Sequence, residues 1–415
     1  MAIVTVQKPD SLSMSGNLKE LVLQSVDPVS VVLRAAGAIV LEETFYPGNG
    51  NLIHIGLTEV VKSHLSFTLP SSDVFIQPNL SKDFTVAYGE DSYTFRCIRS
   101  GKMHLNESAT QFLTGNFLTW QPTQKAVTYY SPEWLTYYAP EDCTVRLRAY
   151  WEDGTNSTIS LSGQSSGTCV SYNLQYAVIA GKFAGKRPMY YDVWVENPSG
   201  TRLSYVQRYV ASEKQGEDEN WYLFENSLGG IDSLRAYGAL KDDPEYTHNL
   251  AVFGDESEEY RIDTNRLLTR NTGMLTPEEA RWLQDMFVAS RKYVYTLSGL
   301  YRIVFTSSNA KTDSANPPVS YSFTYRLSDG RPYLDIQRRT DLPENLVIPI
   351  PTGDTFFLPP RLAEFPKPTL SPDLLIPVQE PHTEVWGATT TGQIHDTVLN
   401  DLIRELDGLD LNPIQ

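Results

Sequence analysis

Apolar and polar positions alternate in short runs along most of this chain, with a period of two rather than 3.6. In Thr144–Tyr150, Val145, Leu147 and Ala149 fall on one side while Arg146, Arg148 and Tyr150 fall on the other, the pattern of a half-buried strand. Similar runs predict strands at Ile3–Gln7, Leu21–Gln24, Val29–Leu33, Ala38–Glu43, Leu52–Ile55, Phe84–Tyr88 and Ser92–Ile98, with a short helix near Thr58–His64. A second group comprises Thr144–Tyr150, Ser157–Leu161, Cys169–Ile179, Met189–Glu196 and Leu203–Val210. Turns such as Pro47-Gly48-Asn49-Gly50, Asp153-Gly154 and Pro198-Ser199-Gly200 punctuate them. Short, closely spaced strands of this kind predict β-sandwiches over 1–100 and 131–212, with an irregular connector over 101–130.

An acidic stretch over 213–220 reads as a linker, and the pattern then changes. Trp221–Phe224, Leu234–Tyr237, Lys292–Leu297, Tyr301–Thr306 and Val319–Leu327 predict strands. Between them Thr276-Pro277-Glu278-Glu279 supplies an N-cap, a proline at the first helical position and a capping-box glutamate. Ala280, Leu283, Met286 and Phe287 then recur at helical spacing, so a helix over 276–290 is expected to pack on the sheet of a β-rich domain, 221–335. The acidic clusters Glu217-Asp218-Glu219 and Asp255-Glu256 with Glu258-Glu259 read as solvated loops, since their spacing is not that of an EF-hand.

The last stretch, 336–415, differs in kind. Residues 341–415 hold 11 prolines, which excludes a central strand or a long helix over most of its length. Yet Leu346-Val347-Ile348, Phe356-Phe357-Leu358 and Leu374-Leu375-Ile376 lie between the prolines, and Ile394, Val398, Leu402 and Leu406 form an apolar stripe near the end. A plain disordered linker is poorer in such residues. The expectation is an extended Pro-rich arm ending in an amphipathic helix, with these thirteen side chains as anchors on another subunit. The fold class is thus mainly β: tandem sandwiches, a helix-bearing β-rich domain and an arm.

Composition narrows the function. Tyr is abundant at 24 copies, which suits pleated sheet surfaces and interfaces. The formal net charge is −16 and no basic stripe is visible, so a nucleic-acid-binding surface is not expected. No stretch is apolar enough for a membrane helix, and the start has no basic region followed by an apolar core, so a protein folded in the cytoplasm is expected. Cys97, Cys143 and Cys169 are too few and wrongly spaced for a disulfide framework or a zinc site and read as buried thiols. His54, His64, His104, His248, His382 and His395 form no metal-binding spacing, and there is neither a nucleophile elbow nor a P-loop. No catalytic residue, metal or cofactor is expected, and the chain does not read as an enzyme.

Three stretches carry a resemblance: Trp221-Tyr222-Leu223-Phe224-Glu225-Asn226-Ser227-Leu228-Gly229-Gly230-Ile231-Asp232; the Leu275–Ser290 segment around Glu278-Glu279-Ala280-Arg281-Trp282-Leu283; and the opening Ile3–Pro9 with Met14-Ser15-Gly16-Asn17. Together they resemble structural proteins from phages and prophages of gut Bacteroidetes. The resemblance implies a tail, tail-tip or connector protein, assembled in the host cytoplasm as a homo-oligomeric ring and resident in the virion beside other virion proteins. It brings no catalytic residues. The alternative is a carbohydrate-binding or receptor-binding adhesion protein, because β-sandwiches with exposed aromatics often serve that role.

Overall fold

In the computed structural model the described residues are 3–105, 107–212, 219–253, 255–296, 299–311, 319–329, 375–379 and 386–390. The chain divides into two units, Met1–Ile336 and Gln337–Gln415. The first unit is built from three β modules, and mainly β architecture holds throughout.

The first module contains β1 (Val4–Gln7), β2 (Leu12–Met14), β3 (Leu21–Gln24), β4 (Val29–Ala35), β5 (Ala38–Phe45), β6 (Leu52–Ile55), helix α1 (Thr58–Ser63), β7 (Val74–Ile76), β8 (Ser81–Tyr88) and β9 (Asp91–Ile98). A three-stranded sheet, β1-β3-β6, faces a five-stranded one, β2-β9-β8-β4-β5. Val29, Val31, Leu33 and Ala35 all turn inward from β4, and together with Leu21, Leu23, Ile53, Ile55, Val61, Phe84, Val86 and Phe95 they fill the space between the sheets. Ala36 and Gly37 both have positive φ, so the β4–β5 turn has the hand that suits a two-residue hairpin.

The second module contains α2 (Ala109–Gly115), β10 (Gln124–Val127), β11 (Trp134–Tyr138), β12 (Cys143–Tyr150), β13 (Asn156–Gln164), β14 (Cys169–Asn173), α3 (Tyr176–Lys182), β15 (Tyr190–Glu196) and β16 (Gln207–Ala211). A five-stranded sheet, β10-β16-β15-β12-β13, packs on β11-β14-β7. Strand β7 comes from the stretch read as the first sandwich, and β10 from the stretch read as a connector, where it pairs in parallel with β16. The alternation in β12 is as the sequence predicts, with Val145, Leu147 and Ala149 buried. Cys169–Ile179 is a correction. The strand stops at Asn173, whose side chain accepts from the Gln175 amide at 3.0 Å, and the chain then turns into α3. Tyr176, Ile179 and Ala180 are buried at helical spacing, and that period wins over the short apparent alternation.

The third module contains β17 (Asn220–Glu225), β18 (Ile231–Ala236), β19 (Leu240–Phe253), β20 (Glu256–Asn271), α4 (Pro277–Val288), β21 (Lys292–Thr296), β22 (Gly299–Asn309) and β23 (Ser322–Leu327). One seven-stranded sheet runs β18-β17-β21-β22-β23-β20-β19. The capping box is present: Thr276 Oγ1 accepts from the Glu279 amide, and Glu279 Oε2 accepts from the Thr276 amide at 2.8 Å. Ala280, Trp282, Leu283 and Met286 of α4 pack against Tyr222, Phe224, Val294, Ile303, Phe323 and Tyr325 of the sheet. In the second unit, β24 (Leu375–Gln379) and β25 (Trp386–Thr390) pair antiparallel. Pro377 stands opposite Ala388 there, in a ladder of two strands where each strand is an edge and the missing N–H is tolerated.

Candidate interaction surface

Among the described residues no group of three or more His, Cys, Asp or Glu side chains is placed to hold a metal ion. The three thiols are free and buried; burial pushes Cys97 and Cys169 up to about 12 and Cys143 up to about 11, so none is a ready nucleophile. On the outer face of the second module, Tyr150 stacks on Tyr190 with centroids 4.4 Å apart, and the Arg208 guanidinium lies over Tyr190 while gripping Asp192 at 2.7 and 2.8 Å. Arg148 similarly lies over Trp194. These ring faces are engaged with neighbours, unlike the open aromatic platform a sugar ring stacks on.

A polar joint ties the three modules. Lys125 Nζ donates to Glu133 Oε2 at 2.8 Å, to the Ser233 carbonyl at 2.6 Å and to Gln121, and it lies over the Trp282 ring. Ser233 Oγ donates to the other Glu133 oxygen at 2.6 Å. Burial pushes the Glu133 carboxyl up, against the opposing pull of Lys125. Beside this pair, Asp232 accepts from Trp282 Nε1 at 2.7 Å and from Asn226 Nδ2 at 2.9 Å, and burial pushes it up to about 6. Around these groups lie Met14, Leu80, Ile98, Leu113, Leu118, Tyr138, Leu223, Leu228 and Ile231, drawn from all three modules.

Glycines let the backbones meet. A Cβ on Gly229, whose φ is +95°, would lie 2.4 Å from the Arg99 carbonyl oxygen, and one on Gly230 would lie 2.4 Å from that of Leu118. A Cβ on Gly16 would lie 1.8 Å from the Gly101 oxygen, and the Gly101 amide in turn donates to the Ser227 carbonyl.

The surface itself is the ribbon of β19 and β20. Strand β20 is paired with β23 only over Leu268–Asn271, whereas its pairing with β19 continues out to Glu256. Among the described residues, the segment Asp243–Phe253 and its partner strand thus run on without a third strand, for about 35 Å at strand rise. Register puts Tyr246, His248, Leu250 and Val252 on one face, with Ile262 opposite His248 and Glu259 opposite Leu250. That face continues the one from which Leu268 and Arg270 point into the core beneath α4. Beyond the helix nothing in the described chain covers it: Leu250, Val252 and Ile262 are 60%, 69% and 51% exposed. The other face carries Glu245, Thr247, Asn249, Arg261 and Asp263. The sequence reading took Asp255–Glu259 for a loop, but Glu256–Glu259 lies within β20.

Of the predicted anchors, Leu346, Val347, Ile348, Phe356, Phe357, Leu358, Leu374, Ile394, Val398, Leu402 and Leu406 lie outside the described residues. Leu375 and Ile376 fall in β24, opposite Thr390 and Thr389.

No protein-family model and no curated protein matches the chain. Among solved structures, a chimeric titin Z1Z2-Z1Z2 tandem is 14% identical at a TM-score of 0.14, covering 52% of this chain and 100% of that one. The N-terminal four Ig domains of Dscam1 are 10% identical at 0.15, covering 66% and 71%. A Bacteroides ovatus glucan-locus protein, SGBP-B, in complex with a mixed-linkage heptasaccharide, is 9% identical at 0.15, covering 77% and 76%. Likeness at that level carries no argument about this chain, and the β architecture rests on its own strands. No helix among the described residues is long and apolar enough to cross a membrane.

Proposed function

We propose that this chain is a structural subunit of a bacteriophage tail, tail tip or connector, which assembles as a homo-oligomeric ring and joins other virion proteins. One observation carries the reading: the β19–β20 ribbon projects an apolar face that nothing in the described chain covers. A two-stranded ribbon is marginal alone in water, and a long edge strand invites pairing, so such an element is kept for a partner. The joint supports the same reading, because modules held by buried hydrogen bonds and close backbone contacts resist tension better than modules strung on a linker. The phage assignment itself draws on the sequence resemblance. Negative-stain imaging of the purified full chain is expected to show closed rings of one order. Monodisperse single particles at every protein concentration would refute the assembly.

A further inference from the structure

The outer end of the ribbon is acidic as well as apolar. Between Leu250 and Tyr260 the sequence holds Asp255, Glu256, Glu258 and Glu259 and no Lys or Arg. The basic side chains nearer its base are occupied: Lys241 pairs with Asp243, Arg261 with Asp263 and Arg266 with Asp242. In a chain of net charge −16, a partner for this end must offer positive charge beside apolar surface.

The second module has such a place. Lys182 at the end of α3 pairs with Asp73, and the loop that follows carries Lys186 and Arg187. Lys186 lies over Trp151 and Arg187 over Tyr129, while Trp151 and Phe183 meet edge to face. Met189, half exposed, follows directly. The loop is therefore a basic rim around half-buried aromatics. Ala184 and Gly185, both at positive φ, shape its turn.

We propose that the ribbon end of one copy docks on this basic aromatic loop of a second copy. Leu250 and Val252 would lie against Met189 and the aromatic edges, while Glu259, on the same face by register, and Asp255 at the tip meet Lys186 and Arg187. The two patches belong to different modules, so the contact can repeat from copy to copy, and a head-to-tail repeat that closes makes a ring. The inference rests on the ring-forming reading and names the contact that builds it.

The experiment uses the full chain in two charge-inverted forms, Asp255→Lys with Glu259→Lys on the ribbon, and Lys186→Glu with Arg187→Glu on the loop. Neither pair lies in a module core, and circular dichroism checks that each form is folded. By mass photometry each form alone is expected to lose self-association at least about tenfold, and the two mixed are expected to recover it, because each ribbon then meets a loop of opposite sign. Wild-type association should also weaken as salt rises. If the wild type forms rings and both inverted forms do so equally well, this contact is overturned while the ring reading stands. If the wild type stays monomeric throughout, the ring reading falls, and this contact with it.

Discussion

Lys125 and Glu133 lie 2.8 Å apart with both side chains almost wholly out of solvent. Taking two charges out of water is costly, and the return depends on every remaining donor and acceptor being satisfied. Here Ser233 and Gln121 complete the set. Lys125→Met strands a carboxylate in the joint and is expected to cost about 3–5 kcal/mol, whereas Lys125→Met with Glu133→Leu should recover most of it. Urea midpoints of the two variants decide this; equal losses would mean the pair is not an interacting unit. Asp232 gives the pH dependence. Its pKa is raised from about 3.8 to about 6, so folding favours its protonated form. Its contribution is fully present below the lower value and is lost as pH rises through the higher one, by up to roughly 3 kcal/mol. Asp83 runs the other way: hydrogen bonds from Arg96 hold its carboxyl low, so its contribution is lost on acidification. Asp232→Asn should flatten the decline in urea midpoint between pH 4 and about 6. An unchanged profile would assign the decline to other groups.

At the scale of elements, the β17–β18 turn is where the modules touch backbone to backbone. Gly229→Ala meets both a positive φ and the Arg99 carbonyl, whereas Gly154→Ala meets a positive φ with nothing within 4 Å. Backbone strain alone costs about 1–2 kcal/mol, and the close approach at Gly229 should add about 1–3 kcal/mol more. Equal losses in denaturant unfolding would show that the close approach contributes nothing. Local pattern made much of the fold legible. The β12 alternation, the Thr276 capping box and most strands of the first module follow from side-chain period and turn chemistry. The second half of Cys169–Ile179 did not, because a short apolar run fits strand and helix alike. Nor did the ribbon: Pro244 and the acids of β19 and β20 look like loop, and only their pairing partners make them strand. The joint was least legible of all. Lys125 and Ser233, or Arg99 and Glu225, are over a hundred residues apart, and no local period marks them.

The whole first unit presents a joined three-module body with one slender projection. It carries an acidic ribbon tip and a basic aromatic loop, two unlike patches that a head-to-tail assembly pairs from copy to copy. The ribbon's attachment has a mechanical consequence. Ladder hydrogen bonds lie across the strands, so a pull along the ribbon axis loads them in shear, together, rather than one after another. At the root of β20 that load passes to the sheet through four register pairs with β23, Leu268–Asn271 against Ser322–Tyr325. Arg270 sits among them as a rivet, buried and donating to the Ala236 carbonyl across the module. Under tension along that axis, those four pairs share the load with the covalent chain at the root, far from the tip that makes the contact.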